Sequence, residues 1–132
     1  MSEAERNKGV VLAYVEAMNG HDVEALRRLF ADDALISGVF GSAPLEQALP
    51  VFRELHEALA MSITVEGLVA EGDTVVARYF ERGISQGSFR GQPATGRTYE
   101  LDAMEWFTLA AGRITRRWGA RDSAAQARQL GW

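Results

Sequence analysis

Apolar residues recur every three to four positions over the first half of the chain, and every second position over most of the remainder. Val11, Tyr14, Val15 and Met18 share one stripe between Glu3 and Met18, which predicts a helix stopped by Asn19-Gly20. Asp22 is placed to cap a second helix presenting Val23, Leu26, Leu29 and Phe30, closed by Asp32 and Asp33. Ala34 to Phe40 reads as a short strand interrupted at Gly38, and Ser42-Ala43-Pro44 as a turn. Leu49, Phe52, Leu55 and Leu59 form a third helical stripe. Pro50 lacks the N–H that a helix interior needs, so a turn is expected before it and the main helix from Pro50 onward.

From Ile63 the period changes to two. Strands are expected over Ser62–Glu71, Thr74–Ser85, Thr98–Leu109 and Arg113–Arg121, with hairpin turns at Glu71-Gly72-Asp73 and Ala110-Ala111-Gly112. Gly87 to Gly96 reads as a longer loop, and Ala124 to Leu130 as a short closing helix. Helices first, then a run of antiparallel strands, is the α+β pattern.

At 132 residues the chain reads as one domain, large enough to bury a core. A formal net charge of −4 leaves no basic surplus for neutralising phosphates, which argues against a nucleic-acid partner. With no cysteine, disulfides, thiolate metal sites and thiol nucleophiles are excluded, and His21 and His56 alone make a poor basis for a metal site. No apolar run approaches the ~20 residues that span a bilayer. The charged start, Met1 to Arg6, lacks the apolar core of a secretion signal, so no membrane association and a cytoplasmic location are expected.

Chemistry therefore has to come from carboxylates and aromatic residues, without metal or cofactor. Along Thr98–Leu109, residues two apart share a face. Glu100, Asp102, Met104 and Trp106 lie together, opposite Tyr99, Leu101, Ala103, Glu105 and Phe107. If the even face is the concave one, two carboxylates meet Met and Trp side chains, and desolvation raises their pKa values toward neutrality. If the odd face is the core, the even face is a solvated edge or a dimer surface. Asp122 ends the last strand four residues after Trp118, where it either faces the same side as that Trp or caps the tail helix. Tyr14, on the first apolar stripe, needs a partner for its hydroxyl: a pocket carboxylate, a substrate oxygen or a backbone carbonyl. His56 borders the third stripe. Arg78 and Arg82 share a face with Phe80 and could pair with Glu100 or Asp102, which would favour an ionised base over a protonated acid.

The order of these pieces resembles a known group. Tyr14-Val15-Glu16-Ala17-Met18-Asn19-Gly20-His21-Asp22, Leu29-Phe30-Ala31-Asp32-Asp33-Ala34 and the hairpin Ala70 to Arg78 are similar to the nuclear transport factor two-like superfamily, which includes ketosteroid isomerase and limonene epoxide hydrolase. Gly91 to Arg97, Gly112-Arg113-Ile114, Trp118, Asp122 and Gln129-Leu130-Gly131 resemble its SnoaL-like polyketide cyclase branch. The resemblance implies a cone-shaped, curved antiparallel sheet wrapped around three helices, an apolar pocket, and commonly a homodimer. It implies ring closure of an apolar, polyketide-like small molecule, with Asp122 as acid/base, Asp102 protonating or binding an oxygen, and Tyr14 steadying oxyanion charge. Trp106, Trp118, Phe80 and Met104 would shape the cavity, and Glu100 and His56 complete the residues expected to touch substrate. Ser85 stands where that branch often has His, which departs from the usual aldol arrangement. The base position of ketosteroid isomerase falls near Gly38, so steroid-type isomerisation is not expected. Epoxide opening or ether-ring formation, and non-catalytic binding of a small molecule, are the alternatives on the same scaffold.

Overall fold

The computed structural model describes residues 1–132. Ten elements follow one another: α1 (Glu3–Asn19), α2 (Val23–Leu29), β1 (Phe30–Gly38), β2 (Gly41–Pro44), α3 (Leu45–Leu59), β3 (Ser62–Glu71), β4 (Thr74–Ile84), β5 (Thr98–Ala110), β6 (Arg113–Arg121) and α4 (Ser123–Leu130). The six strands form one curved, unclosed sheet in the order β2-β1-β6-β5-β4-β3. It is antiparallel except where β1 runs parallel to β6. That pairing is absent from a reading built on hairpins, because no short turn joins the two strands. No helix is long and apolar enough to cross a membrane.

Local chemistry explains most boundaries. Ser2 caps α1 by accepting the Glu5 N–H at 3.1 Å, and Asp22 caps α2 by accepting that of Ala25 at 3.0 Å. In the turn after β3, Gly72 takes a left-handed φ of +59°. After β5, Ala111 and Gly112 are both left-handed, as a tight hairpin requires.

Four boundaries differ from expectation. Phe30 opens β1 instead of ending α2, and is fully buried there. Asp32 and Asp33 are exposed within β1, where its register against β6 shifts between Phe30 and Leu35. Ser42 to Pro44 belong to β2, whose short ladder against β1 supplies the hydrogen bonds. Finally, α3 begins at Leu45 and runs through Pro50. The proline is the sixth residue of the helix and forgoes the hydrogen bond to the Glu46 carbonyl, a loss that burial of Leu45, Ala48 and Leu49 against the core offsets.

One face of the sheet is buried by the helices. Along β5 the alternation is strict: Tyr99, Leu101, Ala103, Glu105, Phe107 and Leu109 are buried, while Glu100, Asp102, Met104 and Trp106 are exposed. Helix α1 packs on β3 and β4, and α3 on β1 and β2. Tyr14 of α1 meets Phe107 and Phe30 edge-on, with centroids 5.1 and 6.0 Å apart.

Candidate active site

The concave wall is written by the odd positions of three adjacent strands. Across β4, β5 and β6 the register sets Ala77, Glu105 and Gly119 in one row and Tyr79, Ala103 and Arg121 in the next. The small neighbours of Glu105 leave room above it. A Cβ at Gly119 would lie 2.9 Å from Arg117 Nη1 and 3.4 Å from Glu105 Oε2, so glycine there admits the Arg117 side chain.

Glu105 Oε2 accepts the Tyr14 hydroxyl at 3.1 Å and pairs with the Arg117 guanidinium. Burial, then the Glu105 charge, pushes the Tyr14 phenol well above its usual pKa. Burial alone would depress Arg117, but the charge of Glu105, the hydrogen bond to it and the neighbouring Tyr14 and Tyr79 phenols together outweigh burial and hold the guanidinium above its ordinary value. The Tyr79 hydroxyl is buried without a hydrogen-bond partner. It too is raised, by burial first and by the Glu105 charge second, so it stays a neutral donor.

A second cluster repeats the arrangement. Tyr99 donates to Glu81 Oε2 at 2.6 Å, and Arg121 pairs with the same oxygen. Burial and the Glu81 charge push the Tyr99 phenol up. The Tyr99 ring lies against β4 where a Cβ at Gly83 would come within 2.6 Å of it and 2.5 Å of the Leu59 carbonyl oxygen. Only glycine fits there.

Both carboxylates open on one cavity of about 230 Å³, walled by Phe52 and Leu55 of α3, Ile36 and Phe40 near the first hairpin, and Met18 and Ile63. Tyr79, Glu81, Glu105, Arg117 and Arg121 also line it. Burying an ion costs several kcal/mol even after relaxation, and apolar residues in its place are often no less stable. Two such pairs on one apolar wall are therefore not accounted for by folding stability alone, which makes them the candidate site residues.

The residues singled out from the sequence are placed differently. Asp102, Glu100 and Trp106 lie on the outer, exposed face of β5, because the helices cover the odd positions. Of that face only Met104 contributes to the cavity wall, with half of its own surface exposed. Phe80 is on the outer face of β4 beneath Arg82, and Trp118 on that of β6 with the Arg116 guanidinium 4.3 Å from its ring. Arg78 approaches Glu66 at 4.0 Å, not Glu100 or Asp102. Asp122 is exposed and caps α4, accepting the Ala125 N–H at 2.9 Å. Tyr14 does not line the cavity; it binds Glu105 from behind. Ser85 is wholly buried and accepts the Thr95 N–H at 3.0 Å, which ties down the 87–96 loop. His56 lies outside the cavity lining, 4% exposed, with its ring stacked on that of His21 at 4.4 Å.

Glu105, Arg117, Glu81, Arg121 and Tyr79 were not singled out from the sequence as site residues. One signal was available: the odd face of Thr98–Leu109 holds Leu101, Ala103 and Phe107 and is the more apolar, which makes Glu105 its inward carboxylate.

Known proteins share this architecture. IdmH of Streptomyces antibioticus, proposed to be a polyketide cyclase, is 29% identical, with 96% of this chain and 99% of that one covered and a TM-score of 0.83. A protein of Xanthomonas campestris pv. campestris, also proposed to be a polyketide cyclase, is 24% identical over 98% and 99% of the two chains, with a TM-score of 0.91. An epoxide hydrolase of Mycobacterium tuberculosis resembling limonene epoxide hydrolase is 16% identical over 98% and 92%, with a TM-score of 0.80, and shares the fold alone. No curated protein sequence matches the chain. The sequence profile of the SnoaL-like polyketide cyclases matches residues 8–130, and with a curved sheet folded over an apolar, acid-lined cavity the chain belongs to that family.

Proposed function

We propose that this protein closes a ring in an apolar, polyketide-like substrate by acid/base catalysis without a cofactor. The observation that carries the reading is Glu105, held by Arg117 and Tyr14 at an apolar cavity beside the partnerless Tyr79 hydroxyl. Both of those bonds use Oε2, and Tyr79 is the remaining polar neighbour of the carboxylate.

In this reading Glu105 removes a proton from a carbon next to a carbonyl group. The enolate carbon attacks a ketone carbon of the same molecule, and the new carbon–carbon bond leaves negative charge on the ketone oxygen. Tyr79 donates a hydrogen bond to that oxygen, and the proton on Glu105 passes to it. The carboxylate is restored and the product is an isomer of the substrate. An ion-paired carboxylate suits proton removal better than the protonation that epoxide opening requires, which ranks ring closure first. The roles expected of Asp102 and Asp122 pass to groups that reach the cavity.

The test does not require the natural substrate. Exchange of the α-protons of 2-tetralone in D2O, followed by NMR, reads proton removal directly. Saturable acceleration is expected, falling at least about 10²-fold in Glu105→Gln and unchanged in Asp102→Asn and Asp122→Asn. Full exchange by a folded Glu105→Gln protein would refute the assignment.

A further inference from the structure

The proton-transfer reading uses one of the two buried clusters and leaves Tyr99, Glu81 and Arg121 without a task. Glu81 is 2% exposed, and both protein groups that bind it use Oε2. Its Oε1 accepts nothing from the protein, and the Nε of Arg121 is buried without a partner. Both residues line the cavity. A buried ion pair adds little to stability beyond what apolar side chains would supply. Unused hydrogen-bonding capacity on a cavity wall is what a ligand would fill.

The register measures how far apart the clusters are. Glu105 sits opposite Ala77, and Glu81 lies four residues further along β4, which is roughly 13 Å at the backbone. Tyr79 and Ala103 occupy the wall between them, and Phe52 and Leu55 face it from α3. The cavity wall thus carries a carboxylate–arginine pair at each end, with the Tyr79 hydroxyl and apolar side chains between them.

We infer that the cavity grips an elongated apolar ligand at both ends, with Glu81 and Arg121 forming a second anchor for a ligand hydroxyl. The hydroxyl donates to Glu81 Oε1 and accepts from the Arg121 guanidinium, while Tyr99 keeps the carboxylate in place. Substrates of this site are accordingly dioxygenated: one oxygen function near Glu105 and Tyr79, and a phenolic or enolic hydroxyl at the far end. This rests on the cavity being the substrate site, as proposed above, and extends it to substrate class.

Calorimetric titration of the full chain with 2-tetralone and with 6-hydroxy-2-tetralone tests it, since the two share the ketone and differ only in the far hydroxyl. The wild-type protein is expected to bind the hydroxylated ketone about tenfold more tightly, as a hydrogen bond to a charged group provides. In the double variant Glu81→Gln/Arg121→Met that preference disappears, while 2-tetralone affinity changes by no more than about twofold. Equal affinities in the wild type, or a preference surviving in the double variant, would overturn the second anchor. Should the double variant not fold, the wild-type protein still decides. Ile63 pairs with Glu81 across β3 and β4 and lines the cavity, so its methyl resonances must respond to the hydroxylated ketone more than to 2-tetralone. An identical response would overturn the anchor. If the hydroxyl gains nothing while 2-tetralone exchange is still lost in Glu105→Gln, the anchor fails and proton removal by Glu105 stands. If 2-tetralone neither binds nor exchanges, both readings fall together.

Discussion

His56 makes acid stability a sharp test of the packing between α3 and the turn joining α1 to α2. The ring is 4% exposed, neither nitrogen has a hydrogen-bond partner, and it stacks on His21 with planes 10° apart. Burial, and secondarily the charge of His21, lowers its pKa from 6.5 to about 4. The unfolded chain binds that proton near pH 6.5 and the folded chain only near pH 4, so the contribution of His56 to stability is complete above pH 6.5 and lost as pH falls toward 4. The linkage amounts to about 1.4 kcal/mol at pH 5.5 and about 2.5 kcal/mol at pH 4.5. His56→Phe keeps a stacked aromatic ring and removes the titration. Urea unfolding of both proteins between pH 7.5 and 4.5 should show a stability difference that is constant above pH 7 and moves in favour of the variant by those amounts below it. Asp22, Glu24, Arg53 and Glu57 surround the two histidines and are present in both proteins, so their own titration largely cancels. A difference that stays constant down to pH 4.5 would refute the buried, uncharged imidazole.

Three further substitutions probe the site and its frame. Tyr14→Phe removes a buried hydrogen bond to Glu105 and should cost about 1–3 kcal/mol in stability; 2-tetralone exchange should slow while remaining measurable, since Tyr14 positions the base without touching substrate. Gly119→Ala drives a Cβ to 2.9 Å from Arg117 Nη1, so the Glu105–Arg117 pair must shift; a loss of about 1–3 kcal/mol by denaturation, with slower exchange, is expected. Asp122→Ala removes the cap of α4 and should cost about 1 kcal/mol with exchange untouched, whereas lost exchange in a stable Asp122→Ala protein would return that residue to the chemistry.

Much of the fold was legible because its signals are local. The alternation from Thr98 to Ala110, the glycine turns after β3 and β5, and the caps at Asp22 and Asp122 all act within a few residues. Pro50 and Phe30 misled for the same reason. A local rule forbids proline inside a helix, and a local stripe places Phe30 on one, but burial of Leu45, Ala48 and Leu49 and the pairing of β1 with β6 override both.

Period two says that one face of β5 is buried; it does not say which. Local pattern left Glu100 and Asp102 against Glu105 as open choices, and the helices lying over the odd positions chose Glu105. The amino-acid sequence on its own thus specifies the elements and the α+β class, since each follows from neighbours along the chain. Which carboxylates face the cavity, and with which partners, depends on contacts such as Tyr14 to Glu105, 91 residues apart, and Arg121 to Glu81, 40 apart. Such pairs exist only once the sheet has curved and the helices have closed over it, because no short-range periodicity encodes a meeting between distant segments.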